Sequence, residues 1–242
     1  MQITYIANEG FFISCDNKKI LLDALFKTKN YTSPSDSLVA NIINSIPPVD
    51  NIDFLLVTHN HRDHFDIKLT SEFLSKNTKT KFISYSESCK ELNEIGFNSS
   101  QLNCYNLELG ELKEINEIND EQISITALRL KHGTSSQINN LAFMVRFNNC
   151  SIMHMGDAFI LQSEEYLKKI NWNNYKIDVL FMSYLDINEY VLETLKNTIM
   201  PKNIIMMHIH EEDIPEAIEQ NKQHNAKAII FEKELETKIF NK

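Results

Sequence analysis

A histidine-rich loop directly after an apolar run is the feature that most narrows what this chain can fold into. The run at 53–57 is short, apolar after its first residue and bounded by polar positions, which is typical of a buried strand. Residues 58–64 read Thr-His-Asn-His-Arg-Asp-His, so three of the eight histidines and one carboxylate follow at once. The fold must therefore present this cluster on a loop at the carboxyl end of a strand.

The spacing of these side chains suits metal binding. Neutral imidazole and carboxylate are ligands for zinc, manganese and iron. Because extended backbone sends side chains at i and i+2 to the same side, His59 and His61 can share one ion. Asp63 and His64 lie across the turn and can face a second ion. The alternative is a polar surface loop that is rich in histidine by chance.

The pattern His-x-His-x-Asp-His at 59–64 resembles the hallmark of the metallo-β-lactamase superfamily of metal-dependent hydrolases, and the chain is similar to its compact, lactonase-like branch. The resemblance implies an α/β fold, a four-layered αββα sandwich formed as a single domain over residues 1–242. It also implies that distant segments of the chain converge on a pair of metal ions.

Two further metal-binding positions are implied by the resemblance. His132 ends an apolar strand and is followed by Gly133, which permits a sharp turn beneath an ion. Asp157 follows Gly156 after another strand, where superfamily members place a carboxylate that bridges both metals. From the residues alone, His132 can be an ordinary loop histidine, and Asp157 can be the N-cap of a helix that begins near Phe159.

The last ligand is expected just past a late strand, where two histidines stand close together. His208 is favoured because it is the first polar residue after the strand at 203–207, which leaves His210 as a substrate-binding residue. The full set then holds two ions, with one ligand shared. The proposed ligands are His59, His61 and His132 for one ion, Asp63, His64 and His208 for the other, and Asp157 between them.

Candidate substrate contacts lie outside the metal motifs. Tyr184 follows a predicted strand and is placed to reach a substrate oxygen, although a plain packing role is the alternative. Residues 25–50 lack an apolar period, so we predict a flap with Phe26 and Tyr31 as contacts. The alternative for 25–50 is an ordinary surface excursion with a short helix near 37–45.

Periodicity predicts alternating strands and helices along the chain. The runs at 2–6, 11–15 and 20–24 form an antiparallel meander through turns at 8–10 and 16–19. Asp23 is interpreted first as a strand-end residue that bonds nearby backbone and second as an outer partner of the metal site. Further strands are predicted at 81–84, 104–109, 113–118, 122–130, 141–147, 150–155, 177–182, 203–207 and 227–231. Helices are predicted at 67–77, 86–95, 159–170, 187–198 and 212–223.

Charge and cysteine content limit the partners and the compartment. The net charge is 24 − 33 = −9, and no Lys/Arg cluster is present, which argues against nucleic acid and against a polybasic membrane anchor. No export signal or run of about eighteen apolar residues appears, so a cytoplasmic protein is expected. The four cysteines lack C-x-x-C spacing, which favours reduced thiols, although a pair that meets in space stays open.

The function implied is hydrolysis of an ester, lactone or related bond of a small molecule by a metal-bound hydroxide. Two divalent ions lower the pKa of a bridging water toward about 7, so no serine or cysteine triad is needed. Asp63 and Asp157 are the predicted catalytic carboxylates, and zinc is the expected metal, with manganese or iron as alternatives. A phosphodiesterase on a small phosphodiester or nucleic acid, an iron-centred oxidoreductase and a metal-binding protein without turnover are the alternative functions. A homo-oligomer is also left open.

Overall fold

The computed structural model describes residues 1–115, 121–133 and 135–240. These residues form two compact units. The first unit comprises Met1–Asn106 together with Lys233–Asn241, and the second comprises Leu107–Glu232. No helix among the described residues is long and apolar enough to cross a membrane. The single-domain expectation for 1–242 remains a prediction.

The described chain alternates strands and helices. The first strands are β1 (Gln2–Ala7), β2 (Gly10–Cys15), β3 (Lys18–Leu22), β4 (Phe54–Leu56), β5 (Lys81–Tyr85), β6 (Leu102–Tyr105) and β7 (Leu112–Glu114). The later strands are β8 (Ile123–His132), β9 (Ser135–Phe147), β10 (Ser151–His154), β11 (Val179–Ser183), β12 (Asn203–Met207) and β13 (Thr237–Ile239). The helices are α1 (Asp36–Ile43), α2 (Ile67–Lys76), α3 (Ser86–Glu94), α4 (Ile160–Leu167), α5 (Glu189–Asn197) and α6 (Ile214–Gln223).

The first unit contains a seven-stranded sheet in the order β13-β1-β2-β3-β4-β5-β6. Strands β1, β2 and β3 form the predicted antiparallel meander, whereas β3, β4, β5 and β6 run parallel. The carboxyl ends of parallel strands lie at the same edge of a sheet. The residues that follow β3 and β4, Asp23 and the histidine-rich loop, are therefore brought together at one edge.

Helices α1 and α2 cover the core of the first unit. The polar residue before α2, Asp66, accepts hydrogen bonds from the backbone N–H groups of Lys68 and Leu69, which satisfies two donors of the first turn. The apolar face of α2 buries Phe73 and Leu74 completely. Burying one such side chain contributes about 1.5–3 kcal/mol relative to exposure. This core holds the strand β4 whose end carries the histidines.

The second unit contains a six-stranded sheet in the order β12-β11-β10-β9-β8-β7. Strands β7 to β10 are antiparallel neighbours, whereas β10, β11 and β12 are parallel. Because β8 and β10 are both antiparallel to β9, they run in the same direction. The carboxyl ends of β8, β10, β11 and β12 therefore share one edge, which carries His132, Asp157, Tyr184 and His208.

Most predicted elements are confirmed, with four exceptions. The strand predicted at 104–109 is β6 at 102–105, so positions 106–109 are not part of it. The helix predicted at 212–223 is α6, and the helix considered near 37–45 is α1. The strand predicted at 227–231 is wrong, because the segment makes only an isolated bridge between Ile229 and Ile205. Strand β13, which pairs with β1, was not predicted. The strand predicted at 113–118 is β7 at 112–114, and its positions 116–118 lie outside the described residues.

The cysteine prediction also needs correction. Cys89 and Cys104 form a disulfide, with their Cα atoms 6.1 Å apart. They are fifteen positions apart in the chain, but Cys89 lies on α3 and Cys104 on β6, and these two elements pack together. Reduced thiols are therefore wrong for this pair, and the alternative of a pair that meets in space is confirmed.

Candidate metal centre

The predicted ligands of the first unit form one compact cluster after β4. His59 and His64 are fully buried, and His61 is half-buried. The ring centroids of His59 and His61 are 4.6 Å apart, and those of His59 and His64 are 3.9 Å apart. A tight turn creates this packing, since the backbone N–H groups of His64 and Phe65 both donate to the carbonyl of His61. The turn therefore brings the imidazoles of all three histidines together.

Asp23 fixes the orientation of this cluster. Its Oδ1 accepts the backbone N–H of Thr58 at 2.8 Å, and its Oδ2 accepts the Thr58 hydroxyl at 2.6 Å. The same Oδ2 lies 2.9 Å from Nδ1 of His64. A carboxylate can only accept, so His64 carries its proton on Nδ1 and turns the lone pair of Nε2 away from Asp23. The predicted hydrogen bond from the backbone to Asp23 is confirmed, whereas its role as an outer partner of a metal site remains a prediction.

A buried glutamate that sequence reasoning missed lies beside the same histidine. Glu9 is in the turn between β1 and β2 and has no exposed surface. Its Oε2 is 2.5 Å from Nε2 of His64, and Oδ2 of Asp63 is 3.9 Å from that nitrogen. Ligand atoms of Glu9, Asp63 and His64 all lie within 4.8 Å of one another. The composition of the turn predicts only that residue 9 is a polar loop residue.

The position of Glu9 is set by close backbone packing at the next residue. A Cβ added to Gly10 would stand 2.9 Å from Cα of Ala24 and 3.0 Å from the carbonyl of Asp23. Only a residue without a side chain permits that approach. The turn at 8–10 is therefore pressed against the backbone that carries Asp23, which brings Glu9 to the same edge of the sheet.

The predicted ligands of the second unit form a smaller cluster around Asp157. Nε2 of His132 lies 2.9 Å from Oδ2 of Asp157, and Gly133 donates its N–H to the Asp157 carbonyl at 2.8 Å. The amide of Asn140 supports this loop, since its Oδ1 accepts the N–H of Asp157 and its Nδ2 donates to the carbonyl of Met155. His132 and Asp157 are thus brought together, as the family motifs imply.

Of the two late histidines, His208 lies beside Asp157. Its Nε2 is 3.8 Å from Oδ1 of Asp157, and its backbone has a φ of +61° at the point where β12 ends. His210 instead immediately precedes the short 3-10 helix Glu211–Asp213. The geometry inside the second unit therefore favours His208 over His210 as a partner of Asp157.

The N-cap alternative for Asp157 is wrong. Helix α4 begins at Ile160, is preceded by Phe159 and has no side-chain cap of its own. Its first N–H group instead donates to Oδ2 of Asp186 at 2.5 Å. Burial raises the pKa of Asp186 to about 7, and the hydrogen bond from Ile160 opposes that rise. The buried cap is therefore a carboxyl that titrates near neutral pH.

The predicted substrate contacts differ in exposure. Tyr184 is buried, and its hydroxyl donates to Oδ2 of Asp213 at 3.1 Å. Burial, together with the Asp213 carboxylate, raises the pKa of Tyr184 to about 12, so the phenol stays protonated and acts as a donor. Phe26 is fully buried and Tyr31 is half-buried, which leaves Tyr31 the more accessible of the two. Substrate roles for these residues and for His210 remain predictions.

The donor atoms in each unit fit divalent metal ions. In the first unit, a ring nitrogen of His59 and one of His61 lie within 4.8 Å of each other. In the second unit, a ring nitrogen of His132 and a carboxylate oxygen of Asp157 lie within the same distance. Two ligands with bonds of about 2.0–2.2 Å to one ion stand about 3–4 Å apart, and the 2.9 Å between Nε2 of His132 and Oδ2 of Asp157 is close to that range. His64 is oriented by a carboxylate, as metal-binding histidines commonly are.

A protein-family model described as a beta-lactamase superfamily domain matches residues 2–208. The chain belongs to the β-lactamase superfamily. A protein of Bacillus subtilis strain 168 named UPF0173 protein YddR is 31% identical over 111 residues. That match covers 42% of this chain and 43% of the relative, so it spans less than half of the relative's length.

Solved structures share the fold at low sequence identity. Igni18, a metallo hydrolase from the archaeon Ignicoccus hospitalis, is 18% identical with a TM-score of 0.67, and the match covers 99% of both chains. An isothiocyanate hydrolase from Delia radicum gut bacteria is 15% identical with a TM-score of 0.68, again over 99% of both chains. The predicted fold class, a mixed α/β metallo-β-lactamase fold, is confirmed by these likenesses.

Proposed function

We propose that this superfamily member is a dinuclear metal-dependent hydrolase that cleaves an ester, lactone or related bond of a small molecule. The observation that carries the proposal is the orientation of His64. Because Asp23 accepts a hydrogen bond from the Nδ1–H group of His64, the lone pair of Nε2 points toward the carboxylates of Glu9 and Asp63. A lone pair and carboxylates that face one another are a ligand set for a cation.

The ligands proposed for the two ions are those that the family resemblance implies. Support for them is the family membership together with the distances inside each unit, and zinc is the proposed metal, with manganese and iron as alternatives. The proposed ligands are His59, His61 and His132 for one ion, Asp63, His64 and His208 for the other, and Asp157 shared between them.

The bound ions would lower the pKa of a water molecule and polarise the oxygen of the bond to be cleaved. The protein's own groups then have three tasks. Asp23 keeps the imidazole of His64 in one tautomer through its 2.9 Å contact. The carboxylate of Asp63 accepts the proton of the attacking water. Asp157, the second predicted catalytic carboxylate, is held by Asn140 so that both of its oxygens face histidines.

A small uncharged or cationic substrate fits this chain better than a polyanion. The net charge of −9 repels nucleic acid over distances of about 10 Å at moderate salt. The structural likeness to a protein described as an isothiocyanate hydrolase supports a small-molecule substrate. Lactones, carboxylic esters and thioesters are therefore the first compounds to test.

The test combines metal analysis with a substrate panel. Freshly purified protein should contain two metal ions per chain and hydrolyse at least one lactone, ester or thioester. His61→Ala should lose at least one ion and lower kcat/KM by 100-fold or more, on the order expected for a lost metal ligand. His224→Ala, at the end of α6, is the matched control and should behave as the wild type.

Three results would contradict the proposal. A wild-type protein that binds no metal would remove the catalyst altogether, and a His61→Ala variant with full metal and full activity would show that the ligand assignment is wrong. Hydrolysis of bis-p-nitrophenyl phosphate without any acyl hydrolysis would replace the proposed reaction with phosphodiester cleavage.

A further inference from the structure

Glu9 is a carboxylate in a place where glutamate is rarely found. It stands in a hairpin turn, where polar side chains normally reach water, yet it is fully buried. Burying an ionised carboxylate costs several kcal/mol unless a cation or several donors offset its charge. Oε1 of Glu9 accepts one hydrogen bond, from Nδ2 of Asn8 at 3.3 Å, whereas Oε2 faces the histidine-rich loop.

The partner that Glu9 faces is Nε2 of His64, at 2.5 Å. Asp23 already holds Nδ1 of the same ring at 2.9 Å and, as an acceptor, fixes the proton there. The neutral ring therefore offers a lone pair from Nε2 toward a carboxylate oxygen, and two acceptors this close need a positive charge between them. Either a second proton on His64 or a metal cation supplies that charge.

The surrounding charge favours the metal cation. Three buried carboxylates, those of Glu9, Asp23 and Asp63, stand around the one imidazole. A divalent cation offsets more of this negative charge than a single proton does. Ligand atoms of Glu9, Asp63 and His64 also lie within 4.8 Å of one another, and all three residues belong to the first unit.

We propose that Glu9 is a direct ligand of the metal ion held by Asp63 and His64. The inference rests on the proposed dinuclear site and adds to it a ligand that lies outside the His-x-His-x-Asp-His motif. A second carboxylate makes the ligand set of this ion harder than histidine-rich sites usually are, and hard oxygen ligands suit manganese and iron better than zinc. The site of Glu9 is therefore the one at which Mn²⁺ or Fe²⁺ competes best.

The experiment measures metal binding rather than turnover. Metal-stripped wild type, Glu9→Gln and Glu9→Asp are titrated with Mn²⁺ and, separately, with Zn²⁺ against a chelating indicator, and bound metal is counted by mass spectrometry after dialysis. Glu9→Gln keeps the shape and removes the charge, whereas Glu9→Asp keeps the charge and withdraws it by one methylene. Glu91→Gln is the matched control, because Glu91 accepts a hydrogen bond from Asn60 of the same loop but lies outside the cluster.

We expect Glu9→Gln to bind one of the two ions normally and the other about 10–100-fold more weakly, with a larger loss for Mn²⁺ than for Zn²⁺. Excess Mn²⁺ should restore the second ion. The metal affinity of Glu9→Asp should lie between those of the wild type and Glu9→Gln. If Glu9→Gln does not fold, the comparison of Glu9→Asp with the wild type tests the inference. Glu91→Gln should match the wild type.

A purely structural ion pair with His64 gives a different result. In that case Glu9→Gln changes the unfolding temperature of the metal-stripped protein but leaves two ions bound with wild-type affinity, and that result would overturn the inference about Glu9 alone. A wild-type protein that binds no Mn²⁺ or Zn²⁺ would overturn the dinuclear site and this inference together.

Discussion

The two units carry their predicted ligands in different ways. In the first unit the histidines come from one short loop, and His59 and His64 have no exposed surface. In the second unit His132, Asp157 and His208 come from the ends of three different strands, and their side chains are 17%, 12% and 14% exposed. The first cluster is thus local and largely buried, whereas the second is assembled by the sheet and partly exposed.

The residues that hold the two clusters in place, here called their supports, differ in charge. Asp23, a buried carboxylate, holds the first cluster through three contacts with Thr58 and His64. Asn140, a neutral amide, holds the loop of Asp157 in the second. Hydrogen bonds to a charged group are stronger than those between neutral groups. We therefore expect the first cluster to depend more steeply on its support than the second.

The largest effect is expected for Asp23→Ala. The change removes acceptors from two buried donors of Thr58 and from Nδ1 of His64, which should lower the free energy of unfolding by about 3–5 kcal/mol. It also frees the tautomer of His64, so affinity for one metal should fall by about 10–100-fold. Urea denaturation and metal titration measure both effects. A variant that loses less than about 1 kcal/mol would contradict the contrast between the two supports.

A second prediction concerns the pH dependence of stability. The buried carboxyl of Asp186, in the second unit, accepts a hydrogen bond from the backbone of Ile160, whereas the carboxyl of Asp23 contacts a histidine. The pKa of Asp186 is raised to about 7 from an ordinary value of 3.8, so the folded chain keeps a proton that the unfolded chain releases. The free energy of unfolding should therefore decrease between about pH 4 and pH 7 and stay level above. Asp186→Asn, which keeps an acceptor for Ile160, should remove this decrease.

The measurement is urea denaturation of metal-stripped protein at several pH values. At pH 8 Asp186→Asn should be about 2–4 kcal/mol more stable than the wild type, and near pH 4 the two should agree. Asp36→Asn is the control from the first unit. Asp36 is exposed, and Lys27 lowers the pKa of its carboxyl, so its loss should give no gain at pH 8. An equal stability difference at pH 4 and pH 8 would contradict the titration of Asp186.

The contrast between a local cluster and one assembled by the sheet also explains how much of the site the sequence could predict. The loop at 58–64 was recognisable because its ligands lie within seven positions, and Asp23 because it closes an apolar run where members of the family commonly carry an aspartate. His132, Asp157 and His208 needed the family resemblance, since only the direction of β8, β10 and β12 brings them to one edge. Glu9 was missed because a turn residue is normally exposed, and the close approach of Gly10 to Ala24 has no signal in a single sequence.

Secondary structure follows the same rule. Helices α2 and α3 were predicted well because apolar period and caps are local properties. The segment at 227–231 has the apolar composition of a strand but pairs only through one bridge, because strand pairing depends on neighbours distant in the sequence. Strand β13 escaped prediction for the same reason, since its partner β1 lies more than two hundred residues earlier.

The smallest effect is expected for Asn140→Ala, the counterpart of Asp23→Ala in the second unit. The change removes one acceptor from the N–H of Asp157 and one donor from the carbonyl of Met155, both neutral hydrogen bonds. A loss of about 1–3 kcal/mol in the free energy of unfolding should follow. Because the side chain of Asp157 is 12% exposed, water can replace part of what is lost, and affinity for metal should fall less than in Asp23→Ala. If Asn140→Ala weakened metal binding more than Asp23→Ala, metal affinity would depend more on the partly exposed cluster than on the buried one. The charge of the supporting residue would then not explain the difference between the two clusters.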